Sequence, residues 1–152
     1  VAAQWSNSYS LGGDLAVGRD LRLRDGGGLA VLGGGDGDIW FLGLDESGIE
    51  QWSERHGGME WDQGRAMLAP AAGGFLLTGF TTVGGDRQLW LALTDETGGL
   101  VWDLSYGDAG IDEGHALAER PGGYFVAGVT ESGAGGVDIR LLALDVDTER
   151  LD

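Results

Sequence analysis

One phrase recurs three times along this chain, and it constrains the fold more than any other feature. Residues 122–130 read GGYFVAGVT, residues 73–81 read GGFLLTGFT, and residues 27–35 read, more loosely, GGLAVLGGG. Other landmarks repeat with it. Trp5, Trp52 and Trp102 align, with Tyr9, His56 and Tyr106 four residues after each. Gly18, Gly64 and Gly114 come next, each trailed by a basic residue (Arg19, Arg65 or His115), and Asp45, Asp95 and Asp145 close an apolar segment. The Trp-to-Trp spacings of 47 and 50 residues define three copies of one unit that fill the 152-residue chain. The reading is a single repeat domain, 1–152, with a leading segment 1–10 and units near 11–56, 57–106 and 107–152.

Each unit reads as four short strands. In the last copy they are GLVWDLSYG, GHALAE, GGYFVAGVT and DIRLLALD, separated by Gly, Asp or Thr-Gly turn signals. Helical periodicity is absent. Within the recurring phrase, YFVA, FLLT and LAVL are apolar on both alternating faces, so both faces of that strand demand cover. A small sheet stacked between two neighbours meets the demand. The glycine pairs supply positive φ in hairpin turns, and Asp45 with Gly48, or Asp95 with Gly98, supplies a comparable turn before the Trp strand. The expected fold class is therefore all-β, with three four-stranded antiparallel repeats as blades of a β-propeller. A β-solenoid is the alternative, although its coils are shorter than this unit.

The units also resemble bacterial and archaeal propeller-repeat proteins, whose repeats run Trp, Tyr-Gly-Gly, Asp, Gly-Gly-Tyr, Ala-Gly-x-Thr, Asp-x-Trp, Leu-Asp, Gly, Trp. The stretch VWDLSYGDAGIDEGHALAERPGGYFVAGVTESGAGGVDIRLLALD carries the resemblance best. The first unit departs from it, with YSLGGD for Tyr-Gly-Gly and Ala16 where Asp62 and Asp112 stand. LDESGIEQW is similar, more distantly, to the docking phrase of quinoprotein propellers. The resemblance implies a secreted, periplasmic or cell-surface repeat array without an assigned activity.

The first unit opens on its Trp strand, and the last reaches LALDVDTERLD without one. VAAQWSNSYS therefore reads as the strand that completes the last blade. Three blades fall short of the four to eight of a ring, so two chains are expected to meet head to tail, each lending its first strand, in a six-bladed homodimer. The competing expectation is three blades of a longer array.

Composition narrows the partners. Asp and Glu number 25 against nine basic residues, all arginine, for a net charge of −16, which speaks against nucleic acid. No stretch approaches the roughly 20 apolar residues of a membrane helix. The absence of cysteine excludes disulfides, thiolate metal sites and a cysteine nucleophile.

Candidate ligand-binding residues follow from repeat equivalence. Arg19, Arg65 and His115 share one position on the expected innermost strand, with Asp62 and Asp112 just before. They would either line a central channel, suiting a small anionic or sugar-like ligand, or lock neighbouring blades together. Trp61 has no tryptophan counterpart in the other units and sits beside Glu60 and Asp62, the place for an exposed stacking platform. GGGDGD at 33–38 reads as an acidic hairpin turn rather than a calcium loop. No cofactor, metal or catalytic group is assigned. The expected function is a non-catalytic binding or assembly scaffold that contacts itself and, secondarily, a carbohydrate or protein at one mouth of the ring. The alternative is a hydrolase or lyase acting over the channel.

Overall fold

In the computed structural model, which describes residues 2, 4–13, 15–132 and 135–146, the chain is all-β. Among those residues there are eleven strands and no helix. They are β1 (Ala16–Leu23), β2 (Leu29–Gly35), β3 (Asp38–Leu44), β4 (Glu50–His56), β5 (Gln63–Leu68), β6 (Phe75–Val83), β7 (Asp86–Thr94), β8 (Leu100–Tyr106), β9 (Asp112–Arg120), β10 (Gly123–Ser132) and β11 (Gly136–Asp145). They form three antiparallel meanders, β1-β2-β3-β4, β5-β6-β7-β8 and β9-β10-β11.

The third sheet thus has three described strands rather than four. Of the expected leading strand 1–10, residues 4–10 are described and join no ladder among the described residues. The last six residues, which end the LALDVDTERLD stretch, lie outside the described set.

Turn chemistry sets the sheet boundaries. Gly27 and Gly28 (φ 97° and 86°) and Gly73 and Gly74 (φ 94° and 72°) take the left-handed conformation that tight turns require and L side chains resist. Before each Trp strand, an aspartate ties its own loop. Asp45 Oδ1 accepts from the Ser47 and Ile49 amides, and Asp95 Oδ1 from those of Thr97 and Gly99. These bonds, led by the Thr97 hydroxyl, hold the Asp95 carboxyl below its usual pKa. The acidic turn at 36–37 is offset by Arg55, which lies 3.7 Å from Asp36 and 3.3 Å from Asp38.

Alternating side chains on β6 and β7 split the middle sheet's apolar residues between two cores. Phe75, Leu77, Trp90 and Ala92 join Ala30, Leu32, Ile39 and Phe41 of the first sheet. Leu76, Leu89 and Leu91 join Tyr124 and Val126 of the third. Phe41 sits edge-on to Trp52 at 4.9 Å and to Phe75 at 5.4 Å, knitting the first junction. A third cluster, Trp40, Leu42 and Leu44, lies under Tyr9 and Leu11 on the outer face of the first sheet, and each fully buried large apolar side chain contributes about 1.5–3 kcal/mol. The first strands approach one another across the stack, β5 touching β1 on one side and β9 on the other, whereas β4 and β8 make no comparable contact.

The same contact recurs between layers. A Cβ on Gly64 of β5 would lie 2.5 Å from Leu32 Cδ1 of the first sheet, and one on Gly114 of β9 would collide with Thr78 of the second. Leu32 and Thr78 hold the same place in their units, as do Gly64 and Gly114. The Trp52 ring lies over Gly98 as Trp5 lies over Gly48. Trp5 also donates its indole N–H to the Glu46 carbonyl at 3.1 Å, and Asn7 and Tyr9 donate to the Gly48 carbonyl. The leading segment therefore stands against the first sheet in the way that β4 stands against the second.

Candidate functional site

The three candidate basic residues share a backbone device that the sequence did not announce. The β1–β2 register slips between Gly18 and Asp20, the β5–β6 register between Gly64 and Ala66, and the β9–β10 register so that Gly128 faces Gly114 while Ala127 faces Ala116. Arg19, Arg65 and His115 are each the extra, unpaired residue of a β-bulge. A bulge re-aims a side chain out of the regular alternation, and here it does so at one equivalent position in all three sheets.

Two of the three converge on a carboxylate that sequence reasoning missed. Glu113 is 4% exposed; its Oε2 lies 2.8 Å from Arg65 Nη2 and 3.1 Å from His115 Nε2, and its Oε1 accepts from Arg87 at 2.6 Å. Phe80 lies beneath both guanidiniums, with the ring centroid 5.4 Å from Arg65 and 4.6 Å from Arg87. The cluster spans the second junction, because Arg65 and Arg87 belong to the middle sheet and Glu113 to the third. Its outer members, Arg87 and His115, remain near half exposed. Glu113 occupies the place of Gln63 and Val17 in the other units, so the only available signal was an irregularity in the repeat. Arg19 is exposed and makes no ion pair among the described residues.

Asp62 and Asp112 lie elsewhere. Both are 1% exposed. Asp62 Oδ1 accepts from the Thr81 hydroxyl at 2.6 Å and the Thr82 amide at 2.8 Å, and its Oδ2 accepts from the Gly58 amide at 2.5 Å. Asp112 Oδ2 accepts from the Asp108 amide at 3.0 Å, while Oδ1 lies 3.4 Å from Arg140 Nε. Each carboxylate pins the loop that leads into its own first strand. Burial of an ionised carboxylate demands such partners, and in both loops one of them is the amide four residues upstream, Gly58 or Asp108. The carboxylate that Arg65 and His115 meet is Glu113, not Asp62 or Asp112.

Trp61 is 53% exposed at the rim between the first and second sheets, beside a small cleft lined by Leu15, Val17, Asp36 and Gln63. Neighbouring Glu60 does not join it in a ligand cage. Its two oxygens accept from the Gly84 and Gly85 amides at 2.8 and 2.9 Å, closing the β6–β7 turn.

Trp40 and Trp90 donate their indole N–H groups to Ser53 and Asp103 on the fourth strand of their own sheets. Arg140, at the same place on β11, donates to Thr130 at 2.9 Å and lies over the Tyr106 ring at 5.2 Å. His56 packs 6.0 Å from Trp90, and burial pushes its pKa below the usual imidazole value despite the nearby Glu54 charge. Among the described residues no group of three His, Asp or Glu side chains is placed to hold a metal ion.

No protein-family model and no curated protein matches this chain. The geometry alone therefore carries the functional reading.

Proposed function

We propose that the stacked sheets are consecutive blades of a β-propeller and that the chain is a non-catalytic binding or assembly scaffold. The observation that supports this reading is the repeated handover between layers: Leu32 against Gly64 and Thr78 against Gly114, with Trp52 over Gly98. Sheets that converge at their first strands and pass one contact along a series are what a ring of blades needs. The Arg65–Arg87–Glu113 cluster braces two layers in this reading, while Asp62 and Asp112 brace loops. Two chains together would supply six blades, within the four to eight that close a ring. The ligand would be a carbohydrate or protein segment at the mouth carrying Trp61, whose exposed ring offers a stacking face. A secreted, periplasmic or cell-surface location goes with that role.

The test is binding of wild type and Trp61→Ala to a panel of immobilised oligosaccharides and peptides. The expected result is retention of at least one ligand by wild type, its loss in the variant, and an unchanged melting temperature. Release of cleaved product from a bound glycan would overturn the non-catalytic reading.

A further inference from the structure

Every sheet in this stack has a forward face, toward the next sheet in chain order, and a backward face. Inside the molecule the forward residues Leu76, Leu89 and Leu91 are fully buried against the third sheet. Their counterparts on the third sheet, Phe125, Ile139 and Leu141, are 48%, 81% and 74% exposed. The backward face of the first sheet is only partly covered: Tyr9 and Leu11 of the leading segment pack on Trp40, Leu42 and Leu44, and the rest of that face is open. A groove of about 150 Å³ runs over it, lined by Tyr9, Val17, Gly18, Val31, Trp40 and Leu42. A Cβ on Gly18 would meet nothing within 4 Å, although the equivalent Gly64 and Gly114 are packed hard by the preceding sheet.

We propose that these two faces mate between two copies of this chain, with residues 5–9 of one copy adding the fourth strand to the third sheet of the other. The inference rests on the blade reading above and names the partner and register that reading would require. The occupant is a second copy because the molecule already contains this junction twice, built from the same positions. Residues 5–9 cannot serve their own third sheet: Trp5, Asn7 and Tyr9 are tied to the turn at 46–48 of the first sheet, and the second sheet lies between. The third sheet has a matching need, since among the described residues β11 pairs with β10 alone, where β3 and β7 each also pair with a Trp strand.

The internal ladders set the register. Ile39 faces His56 and Gly43 faces Trp52; Leu89 faces Tyr106 and Leu93 faces Trp102. By the same rule Ile139 of one copy faces Tyr9 of the other, Leu141 faces Asn7, and Ala143 faces Trp5. A slip of one residue would turn Trp5 and Tyr9 to the wrong face. The net charge of −16 on each copy opposes the contact, so added salt strengthens it.

The chain has no cysteine, which makes a disulfide trap unambiguous. Oxidised Asn7→Cys/Leu141→Cys protein is expected to run as a covalent dimer, because directly opposed Cβ atoms stand about 4.5–5.5 Å apart. Ser8→Cys/Leu141→Cys, which points the two thiols to opposite faces, is expected to stay unlinked. Light scattering of wild type over a dilution series is expected to give twice 15.9 kDa, with tighter association at high salt. Gly18→Val is expected to keep the melting temperature of the dilute chain and weaken association by about tenfold or more. A folded monomer at every concentration, a disulfide closed within one chain, or equal trapping of both cysteine pairs would each overturn the proposal. A folded monomer that still loses its ligand on Trp61→Ala would sink the mating alone, and the scaffold reading would stand.

Discussion

Leu91 and Leu141 occupy the same place in consecutive copies of one repeat, yet the first is fully buried and the second is 74% exposed. Gly64 and Gly18 form a matching pair, one pressed by Leu32 and the other facing open space. Equivalent residues carry unequal weight because energy in a stacked-sheet protein resides in the junctions, not in the sheets. The middle sheet has a junction on each face. The outer two have one each.

Paired substitutions can break this comparison, and the largest difference is expected at the leucines. Leu91→Ala should cost about 2–5 kcal/mol by urea denaturation, whereas Leu141→Ala in the dilute monomeric chain should stay within about 0.5 kcal/mol. Equal costs would mean that the two faces are equally packed in solution. If the Leu141 cost grows with protein concentration, a second copy covers that face.

Glu113→Ala comes next, at about 3 kcal/mol, since removal of the carboxylate leaves Arg65 and Arg87 of the middle sheet together at the second junction with no counter-charge. Exposure of Arg87 discounts the upper end of that range. The counterpart Gln63 has no such cluster, so Gln63→Ala should cost less in the same melting assay. A larger loss there would show that the first junction, not the second, depends on its polar groups.

Gly64→Ala should cost about 1–3 kcal/mol through the collision with Leu32, and Gly18→Ala should lie within about 0.5 kcal/mol of wild type. Similar melting temperatures for both variants would remove the case for an open backward face.

The smallest effect concerns His56, which stands where Tyr9 and Tyr106 stand in the other units. Burial lowers its pKa in the folded chain, so the unfolded chain binds the proton more readily. The contribution of neutral His56 is therefore present above the ordinary imidazole pKa of about 6.5 and is lost as pH falls through the folded value. Wild type should lose stability on acidification from about pH 7.5 to 5, and His56→Tyr should flatten that part of the profile. An unchanged slope would place the titrating group elsewhere.

Much of this architecture was legible in local chemistry. The strands around Trp52 and Trp102, the glycine-pair turns and the aspartate turns at Asp45 and Asp95 involve neighbours a few residues apart, and they fall where the repeat places them. The site was less legible. Glu113 is 48 residues from Arg65 and 26 from Arg87, and no local pattern brings those three together. The bulges that aim Arg19, Arg65 and His115 arise from ladder register, a property of two strands at once. Asp62 and Asp112 look like candidate chemistry in the sequence because a carboxylate beside a basic residue always does; only their burial and amide partners identify them as loop pins.

The sequence by itself determined the all-β class and the turns, since short apolar runs bounded by turn residues and glycine placement act over a few bonds. Tertiary structure alone decided which copy of each repeated residue matters. Burial depends on what lies across a junction, and residues at matching positions in the three sheets acquire different energetics only when the sheets stack in order.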